Sequence, residues 1–328
     1  MPDEQIDVSV VIVSFNTRAL LRECIDTVKI QRGVTFETLV VDNNSRDGSA
    51  EMLMADYPDV RVIASKVNLG FAGANNAAFA FVRGRYVVLL NSDAFFPPGL
   101  LEDAVGRMDD APDVGLAGAM LIGRDGIQQP SARLFPSLLN DALCLTGLSS
   151  RYPKSRFFGR ADRTWADPLK EADIDWVPGA FSIIRRDVLE RVGYFDERFF
   201  LYYEEVDLCL RIKAAGYKVV YWPELRVVHI GGESSKTVSR LTLSSKGSQL
   251  TLWRMRSALL YYRKHHPLKV RLAMWTETFW HRLRLWRNRR RKGTEALAKA
   301  EESMAVIQFF DTAWKETQGG RVCPSRPW

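Results

Sequence analysis

The stretch Tyr86-Val87-Val88-Leu89-Leu90-Asn91-Ser92-Asp93 carries the first indication of the fold. The apolar run Tyr86 to Leu90 predicts a buried strand, and Asn91-Ser92-Asp93 then places a lone carboxylate at its C-terminal tip. Open α/β sheets bind their ligands at these carboxyl ends. The tripeptide alone is weak evidence, because an Asp after a strand more often forms a turn or caps a helix.

Two other apolar runs end in polar residues in the same way. Val8 to Val13 leads into Ser14-Phe15-Asn16, and Leu39 to Val41 leads into Asp42. Strands and helices alternate through the first 120 residues, with strands predicted at Val8–Val13, Thr38–Val41, Val60–Ala64, Tyr86–Leu90 and Val114–Ala117. This alternation predicts an α/β fold with a mostly parallel sheet and helices on both faces. The three polar strand ends predict a nucleotide crevice.

The rest of the chain changes character twice. From about Leu121 to Asp173 the periodicity is lost, and Arg124-Asp125-Gly126 indicates a hairpin. Strands are then predicted at Phe181–Ile184 and Lys218–Trp222, and helices at Asp187–Val192 and about Glu205–Ala215. Beyond this the sequence predicts helices broken at Pro267 and Gly293. We therefore divide the chain into a body at 1–245, with halves at about 1–120 and 121–245, and a helical region at 246–328.

Composition predicts a globular cytoplasmic protein. The acidic N-terminus lacks the basic-then-apolar order of a secretory signal. The longest uncharged window, Val67 to Val82, is 16 residues long and contains three Asn, so no transmembrane helix is expected. The four cysteines have no metal or redox spacing and are interpreted as reduced, packed thiols: Cys24, Cys144, Cys209 and Cys323.

Positive charge is concentrated in one segment. Tyr262 to Lys292 holds eleven Lys or Arg and one acid, so it contributes +10 to a net charge of +7 and leaves −3 for the rest. An apolar stripe runs through it at helical spacing: Leu268, Leu272, Trp275, Phe279, Leu283 and Trp286. This pattern favours an interfacial helix on the anionic inner face of the cell membrane. The alternative is that the stripe packs on the body. No nucleic-acid motif accompanies Arg289-Arg290-Arg291-Lys292, so no nucleic-acid partner is expected.

Ordered strings of residues resemble the GT-A type family 2 glycosyltransferases, and within them the rhamnosyltransferase-like branch. They run from residue 8 to about 232 and cover some seven tenths of the chain. They are Val10 to Asn16, Val40 to Ser45, Asn68 to Phe71, Asn91 to Asp93, Trp176 to Ala180, Phe195 to Glu197, Tyr203 to Leu208, and His229. Any one string is weak, but the ordered set is hard to obtain by chance.

The resemblance implies a nucleotide diphosphate sugar as donor. Asp42 would accept a hydrogen bond from the N–H of a pyrimidine ring, and Ser14, Phe15 and Asn16 would line the base and ribose. Asn68 and Gly70 would pass close to the nucleotide. The plainer alternatives are an Asx turn at Asp42 and an ordinary helix entry at Asn68.

The resemblance also implies a divalent cation, Mg²⁺ or Mn²⁺, held by Asp93 against the diphosphate. The family's usual D-x-D is replaced by Asn91-Ser92-Asp93, as in the rhamnosyltransferase-like branch, so the ion is expected to arrive with the nucleotide. His229 would reach the metal or the diphosphate. A lone His is otherwise more often a packed or surface residue.

Catalytic and acceptor residues follow from the same resemblance. Glu205 stands at the second position of the family's Glu-Asp pair and would be the general base, with Glu204 as the alternative. Asp207 is expected to orient the helix start or to pair with Arg211. Trp176, Gly179 and Ala180 would wall the acceptor side, although a buried core Trp is nearly as good an interpretation.

The predicted function is an inverting transfer, with dTDP-rhamnose as the first candidate donor and a lipid-linked or polysaccharide acceptor of the cell envelope. UDP-galactofuranose, UDP-glucose and UDP-N-acetylglucosamine are alternative donors, and a membrane-docked protein that binds nucleotide sugars without turnover is an alternative class. A nicotinamide-dependent oxidoreductase is disfavoured, because the turn from Ser14 to Ala19 contains no glycine.

Overall fold

The computed structural model describes residues 5–231 and 248–324. Ten strands are described: β1 Val8–Ser14, β2 Phe36–Asp42, β3 Val60–Ala64, β4 Tyr86–Asn91, β5 Ala94–Phe95, β6 Val114–Ile122, β7 Gln128–Gln129, β8 Ala172–Asp173, β9 Phe181–Arg185 and β10 Lys218–His229. The helices of the same residues are α1 Arg18–Lys29, α2 Ser49–Asp56, α3 Gly70–Phe79, α4 Leu100–Asp110, α5 Leu138–Leu145, α6 Leu148–Arg151, α7 Arg186–Val192, α8 Glu204–Ala214, α9 Ser248–His265, α10 Val270–Arg289 and α11 Thr294–Glu316.

The strands form one mixed sheet in the order β3-β2-β1-β4-β9-β6-β10-β5, with β7 beside β6 and β8 beside β10. Strands β1 to β4 pair in parallel, as do β6 and β10, while β9 runs antiparallel between β4 and β6. The prediction of a mostly parallel sheet is confirmed. The hairpin expected at Arg124-Asp125-Gly126 is also confirmed, as the turn between β6 and β7.

Helices cover both faces of the sheet because both faces are apolar. On one face Leu21 and Ile25 of α1 pack with Leu101 and Met108 of α4. On the other face α3, α7 and α8 pack through residues such as Leu208. The amphipathic spacing of α1 is what directs its apolar side to the sheet. Complete burial of a side chain the size of Leu21 contributes about 1.5–3 kcal/mol.

Strand β10 is longer than the sequence predicts. The expected strand ends at Trp222, but β10 continues to His229 across a register shift between Trp222 and Arg226. Pro223 lies in this irregularity, where its missing N–H costs no ladder hydrogen bond. The continuation carries His229 to the ligand edge of the sheet, beside Ala94 of β5.

The helices α9, α10 and α11 pack against the body through a third core. Met255 and Tyr261 of α9 cluster there with Phe199 and Val206. The Ser257 hydroxyl donates to the carbonyl oxygen of Leu201 at 2.8 Å. The boundary predicted at 245/246 lies outside the described residues. Within the described ranges, no helix is long and apolar enough to cross a membrane.

The apolar stripe of α10 is exposed. Its six side chains, from Leu268 to Trp286, are 43% to 97% exposed, whereas Val270, Thr278 and His281 on another face are buried. Trp275 and Phe279 stack on each other at 5.0 Å. The alternative that the stripe packs on the body is therefore wrong, since the helix packs through different residues.

The cysteine interpretation holds for two residues and fails for two. None of the four cysteines forms a disulfide, and Cys24 and Cys209 are buried in the core. Cys144 and Cys323 are exposed, so they are not the packed thiols that the sequence predicted. Their flanking residues lie in short helices and chain ends, where apolar neighbours do not imply burial.

Candidate active site

The tips of β1, β2 and β4 meet at one edge of the sheet because these strands are parallel and in register. Ser14 pairs with Asp42, and Val13 pairs with Asn91. A chain of buried hydroxyl groups joins the tips, with Ser14 Oγ at 3.0 Å from Thr17 Oγ1, which donates to Ser92 Oγ at 2.8 Å. Ser14 and Ser92 thus fix the two loops to each other.

Asp42 has one carboxylate oxygen available for a ligand. Its Oδ2 accepts from the backbone N–H of Ser45 at 3.1 Å, which is the Asx turn expected as an alternative. Its Oδ1 is buried and has no hydrogen-bond partner within the described chain. A buried carboxylate oxygen without a donor is costly, so this atom suits a ligand N–H.

The loop after β1 is held beside Asp42 through Asn16. The backbone N–H of Asn16 donates to Ser45 Oγ at 3.0 Å, and Asn16 Oδ1 accepts from the N–H of Arg46 at 2.7 Å. Asn16 adopts a left-handed φ of 53°, a conformation that Asn tolerates better than most residues. Phe15, between Ser14 and Asn16, is half-buried. The residues expected around the base therefore form one connected unit.

Asn68 and Gly70 hold the start of α3. Asn68 Oδ1 accepts from Asn43 Nδ2 and from the N–H of Gly70, both at 2.9 Å. A Cβ on Gly70 would lie 2.3 Å from the carbonyl oxygen of Phe200, and φ is 75° there. The close approach that requires glycine is thus to the Phe200 loop, and the nucleotide contact of Gly70 stays a prediction.

Asp93 and His229 face each other at the tip of β4. Asp93 Oδ1 lies 3.5 Å from His229 Nε2, and Asp93 Oδ2 accepts from the N–H of Gly231 at 3.1 Å. Asn91 Nδ2 is also 3.5 Å from His229 Nε2. The sequence-predicted metal residues are therefore brought together, with Asn91 beside them.

Gln129 determines which nitrogen of His229 is free to bind a metal. Gln129 Nε2 donates to the carbonyl oxygen of His229 at 2.7 Å, so Gln129 Oε1 is left to accept from His229 Nδ1 at 2.8 Å. The proton of a neutral His229 is then on Nδ1, and the lone pair of Nε2 points toward Asp93. Two opposed acceptors fit a divalent cation, whose adjacent ligands lie about 3 Å apart at bond lengths of about 2.1 Å.

The described residues contain no cluster of three or more His, Cys, Asp or Glu side chains that could hold a metal ion. Asp93 and His229 supply two ligands, and an octahedral cation needs more. That the ion is bound together with a diphosphate stays a prediction.

Glu204 and Glu205 open α8 after an unusual turn. Tyr202 and Tyr203 both have left-handed φ values, 70° and 71°, which cost roughly 1–2 kcal/mol per residue. Burial in the third core compensates for this cost, since Tyr203 packs on Tyr261 at 5.4 Å. The turn directs the two carboxyl groups inward at the first turn of the helix.

Burial raises the pKa of both carboxyl groups. The pKa of Glu205 rises to about 7, and the Arg133 guanidinium partly opposes this rise. The pKa of Glu204 is raised well above its usual range by burial and by the charge of Glu205. Each residue has an Oε2 atom that is buried without a hydrogen-bond partner in the described chain. A carboxyl with a pKa near 7 is suited to accept a proton.

Glu205 lines a cavity of about 310 Å³ together with Trp176, Arg133, Asn140 and Tyr202. We call this space the Glu205 cavity. Glu204 is 3% exposed and does not line it. Trp176 donates from Nε1 to the carbonyl oxygen of Leu134 at 3.0 Å. The indole is thereby fixed with the Arg133 guanidinium 4.7 Å from its ring centre.

Gly179 and Ala180 do not line the Glu205 cavity. Gly179 lies against the ring of Phe71 and shares a narrow crevice with Glu205. Ala180 is buried, and its carbonyl oxygen accepts from the N–H of Asn91 at 3.0 Å. Both residues therefore support the site from behind, through backbone and packing.

Sequence reasoning missed Gln129, Arg133 and Asn140. Gln129 follows the predicted hairpin and Asn140 lies in the region without clear periodicity, so no pattern marked either residue. Asp207 was expected to pair with Arg211, and this is confirmed by a contact of 2.9 Å between Arg211 Nε and Asp207 Oδ2.

The fold and this site define a glycosyltransferase of the GT-A type. A family model described as glycosyl transferase family 2 matches residues 9–193, and the chain belongs to that family. It is 28% identical over 231 residues to an N-acetylglucosaminyl-diphospho-decaprenol L-rhamnosyltransferase of Mycobacterium tuberculosis, covering 67% of this chain and 75% of that one. It is 23% identical over 246 residues to a rhamnosyltransferase of Escherichia coli, covering 71% and 84%.

A solved structure has the same fold. It is a mannosyltransferase from Pyrobaculum calidifontis in complex with GDP-mannose and Mn²⁺, 18% identical, with a TM-score of 0.52. The match covers 99% of this chain and 78% of that one. At this identity the likeness extends to the fold alone.

Proposed function

We propose that the protein transfers a sugar from a nucleoside diphosphate donor with inversion, and that L-rhamnose from dTDP-rhamnose is the first candidate. The observation that carries this is Glu205: its carboxyl has a pKa of about 7, an Oε2 without a partner in the described chain, and a position in the cavity that Trp176 walls. Rhamnose itself is supported by the relatives from M. tuberculosis and E. coli, both of which are rhamnosyltransferases.

The donor is bound at the tips of β1, β2 and β4. The free Oδ1 of Asp42 accepts the ring N–H of thymine or uracil, which explains why that oxygen is buried without a protein donor. Asn16 and the loop that carries it border the ribose. Asp93 and His229 would hold Mg²⁺ or Mn²⁺, which would supply Lewis-acid stabilisation of the leaving diphosphate.

The chemistry is a single displacement. Glu205 takes the proton of the acceptor hydroxyl, the hydroxyl oxygen forms a bond to the anomeric carbon, and the bond from that carbon to the diphosphate oxygen breaks on the opposite side. Glu204 is buried away from the Glu205 cavity, which favours Glu205 as the base. No covalent intermediate is needed.

The acceptor is proposed to be lipid-linked or polysaccharide, in cell-envelope synthesis, and α10 is proposed to dock on the inner face of the membrane. Six apolar side chains are exposed beside Arg271, Arg282 and Arg287. Among the described residues, none of these three arginines has a carboxylate within ion-pair distance. Exposed aromatic and basic side chains together suit the headgroup layer.

The alternative donors are UDP-galactofuranose, UDP-glucose and UDP-N-acetylglucosamine. The proposed contact at Asp42 fits any pyrimidine base and does not distinguish the sugar. A non-catalytic nucleotide-sugar-binding protein is disfavoured by Glu205, because a buried carboxyl without a partner costs stability and needs a reason.

The test is a donor panel with Mn²⁺ and a lipid-linked acceptor, scored for nucleoside diphosphate release and for the anomeric configuration of the product by NMR. We expect release from one donor with inverted configuration. Retained configuration, or binding of every donor without release, would overturn the proposal.

A further inference from the structure

A second cavity adjoins the Glu205 cavity. It has a volume of about 290 Å³ and lies between four helices, with Ala142 of α5, Leu259 of α9, Met274 of α10 and Phe310 of α11 in its wall. We call it the helix cavity. Both volumes are in the range of small-molecule sites.

The two cavities share four residues, Asp141, Cys144, Tyr203 and Arg254. The two cavities are therefore neighbours. One of the shared residues, Tyr203, precedes Glu205 by two positions in the sequence. A second unit of a ligand bound beside Glu205 would have to pass between these shared side chains to enter the helix cavity.

The charges of the two cavities do not suit an anion. Arg133 Nε contacts Asp162 Oδ1 at 2.6 Å, and Arg254 contacts Glu277 at 3.3 Å, so both cations are already paired with carboxylates. Asp141 and Glu205 add acidic groups. A diphosphate placed here would meet more negative charge than positive charge, and its desolvation would not be compensated.

Two oxygen atoms of residues that line the Glu205 cavity lack a hydrogen-bond donor in the described chain. Asn140 is 4% exposed, and its Nδ2 donates to the carbonyl oxygen of Phe135 at 2.8 Å, which leaves Oδ1 as an acceptor. Neither Asn140 Oδ1 nor Glu205 Oε2 has a partner in the described chain. Sugar hydroxyl groups are donors of the right kind, because they are neutral and pair with carboxylate and amide oxygens.

The lining of the helix cavity also fits a carbohydrate. Its wall combines apolar side chains such as Leu138 and Leu145 with polar groups such as Asp141 and Thr276. Tyr262 donates its hydroxyl to Asp141 Oδ2. A sugar ring has an apolar face of C–H groups and a polar rim of hydroxyls, which matches a wall of this kind.

We propose that the acceptor is bound as a neutral glycan of at least two sugar units. Its terminal sugar lies in the Glu205 cavity, with a hydroxyl donating to Asn140, and the adjoining sugar lies in the helix cavity. Any diphosphate of a lipid-linked acceptor then lies beyond the second sugar. This inference rests on the proposed transferase function and specifies its acceptor.

The test uses the full-length protein and ligand-observed NMR titrations. The probes are chitobiose, lactose and maltose, their component monosaccharides, and inorganic diphosphate as a competitor. The key variant is Ala273→Phe, which fills the helix cavity from α10 without contacting the Glu205 cavity. Ala258→Leu fills the same cavity from α9. This variant is used if Ala273→Phe does not fold.

We expect at least one disaccharide to bind wild type about tenfold more tightly than its monosaccharides, a gain of about 1.4 kcal/mol. The filled variants should lose this preference and keep monosaccharide binding, while Asn140→Leu should weaken both. A preference that survives filling, no preference in wild type, or displacement of sugars by diphosphate would overturn the inference.

The donor panel separates this inference from the proposed function. Loss of donor turnover with a retained disaccharide preference would refute the transferase and leave the two-sugar site standing. Inverting turnover without a disaccharide preference would support the transferase and refute the two-sugar site.

Discussion

His265 Nε2 lies 2.6 Å from Asp207 Oδ1, and this contact joins the last turn of α9 to the first turn of α8. Lys264 Nζ lies 2.7 Å from the same oxygen, and Arg211 contacts the other. Asp207 is fully buried, and these partners keep its pKa below the usual value despite burial. The helix that presents Glu205 is thus anchored by residues far along the chain.

Removing this anchor should destabilise the protein. We expect Asp207→Ala to lower the free energy of unfolding by about 3–5 kcal/mol, because three cationic or hydrogen-bonding groups lose their buried partner. Urea unfolding measures this. The exposed i,i+4 pair of Lys299 and Glu295 is the matched control, and Lys299→Ala should leave the free energy of unfolding close to that of wild type. Equal effects of the two substitutions would show that Asp207 is not an anchor.

Asp93→Asn should remove metal-dependent donor binding, because the carboxylate at the tip of β4 is the anionic ligand of the proposed site. Calorimetric titration of the nucleoside diphosphate with and without Mn²⁺ measures this. Asp113→Asn, at an exposed position before β6, is the control and should behave as wild type. Unchanged Mn²⁺ dependence in Asp93→Asn would refute the metal assignment.

Glu205→Gln should lower kcat by about a hundredfold or more while donor affinity stays near normal, because an amide cannot accept the proton. In wild type, kcat/KM should rise with pH through about 7, the pKa of Glu205. Glu204→Gln is the control and should retain most activity. If the loss instead follows Glu204→Gln, the base is one residue earlier.

Glu204 should make stability depend on pH. Its pKa in the folded protein is raised above the usual 4.5, so the folded state binds the proton more tightly than the unfolded state. The contribution of Glu204 to stability is then greatest below pH 4.5 and falls as pH rises toward its folded-state pKa, by up to about 1.4 kcal/mol per pH unit.

Replacing Glu204 by Gln removes this loss. The gain in melting temperature of Glu204→Gln over wild type should therefore grow as the pH rises above the ordinary glutamate pKa of 4.5. Thermal unfolding at several pH values measures it. A constant difference between the two proteins across this range would show that Glu204 does not titrate there.

The exposed stripe of α10 should bind anionic membranes. Replacing Trp275, Phe279 and Trp286 by Ser should abolish the salt-resistant part of flotation with anionic liposomes. Each nearby basic residue contributes roughly 1 kcal/mol to membrane binding, and salt weakens this contribution. Phe157→Ser is the control, since Phe157 is exposed to a similar degree elsewhere. Equal flotation of the triple variant and wild type would exclude the stripe as the docking surface.

Much of the fold was predictable because strand ends and apolar periodicity are local signals. Val60–Ala64 was predicted with the observed bounds, and the breaks at Pro267 and Gly293 separate the observed α9, α10 and α11. The length of β10 was not predictable, because its continuation past Pro223 depends on pairing with β6, a contact distant in sequence.

The site was predictable where a motif marked it and unpredictable where only tertiary contact does. Asp93 and His229 were predicted together, and the structure places them 3.5 Å apart. Gln129 was not predicted, because it acts only by orienting the imidazole ring of His229. Gly70 was marked correctly as a position without space for a side chain, but the neighbour is Phe200 and lies in a loop that no local pattern could place.

Three of the four helices that line the helix cavity, α9, α10 and α11, come from residues 248–316, whereas the family match ends at residue 193 and includes α5. Much of the wall of the helix cavity is therefore encoded beyond the part of the chain that matches the family. Recombination that exchanges the later part among relatives would change which glycan is extended while leaving the activated sugar the same. New polymer structures could then arise by shuffling, without rebuilding the site at the strand tips.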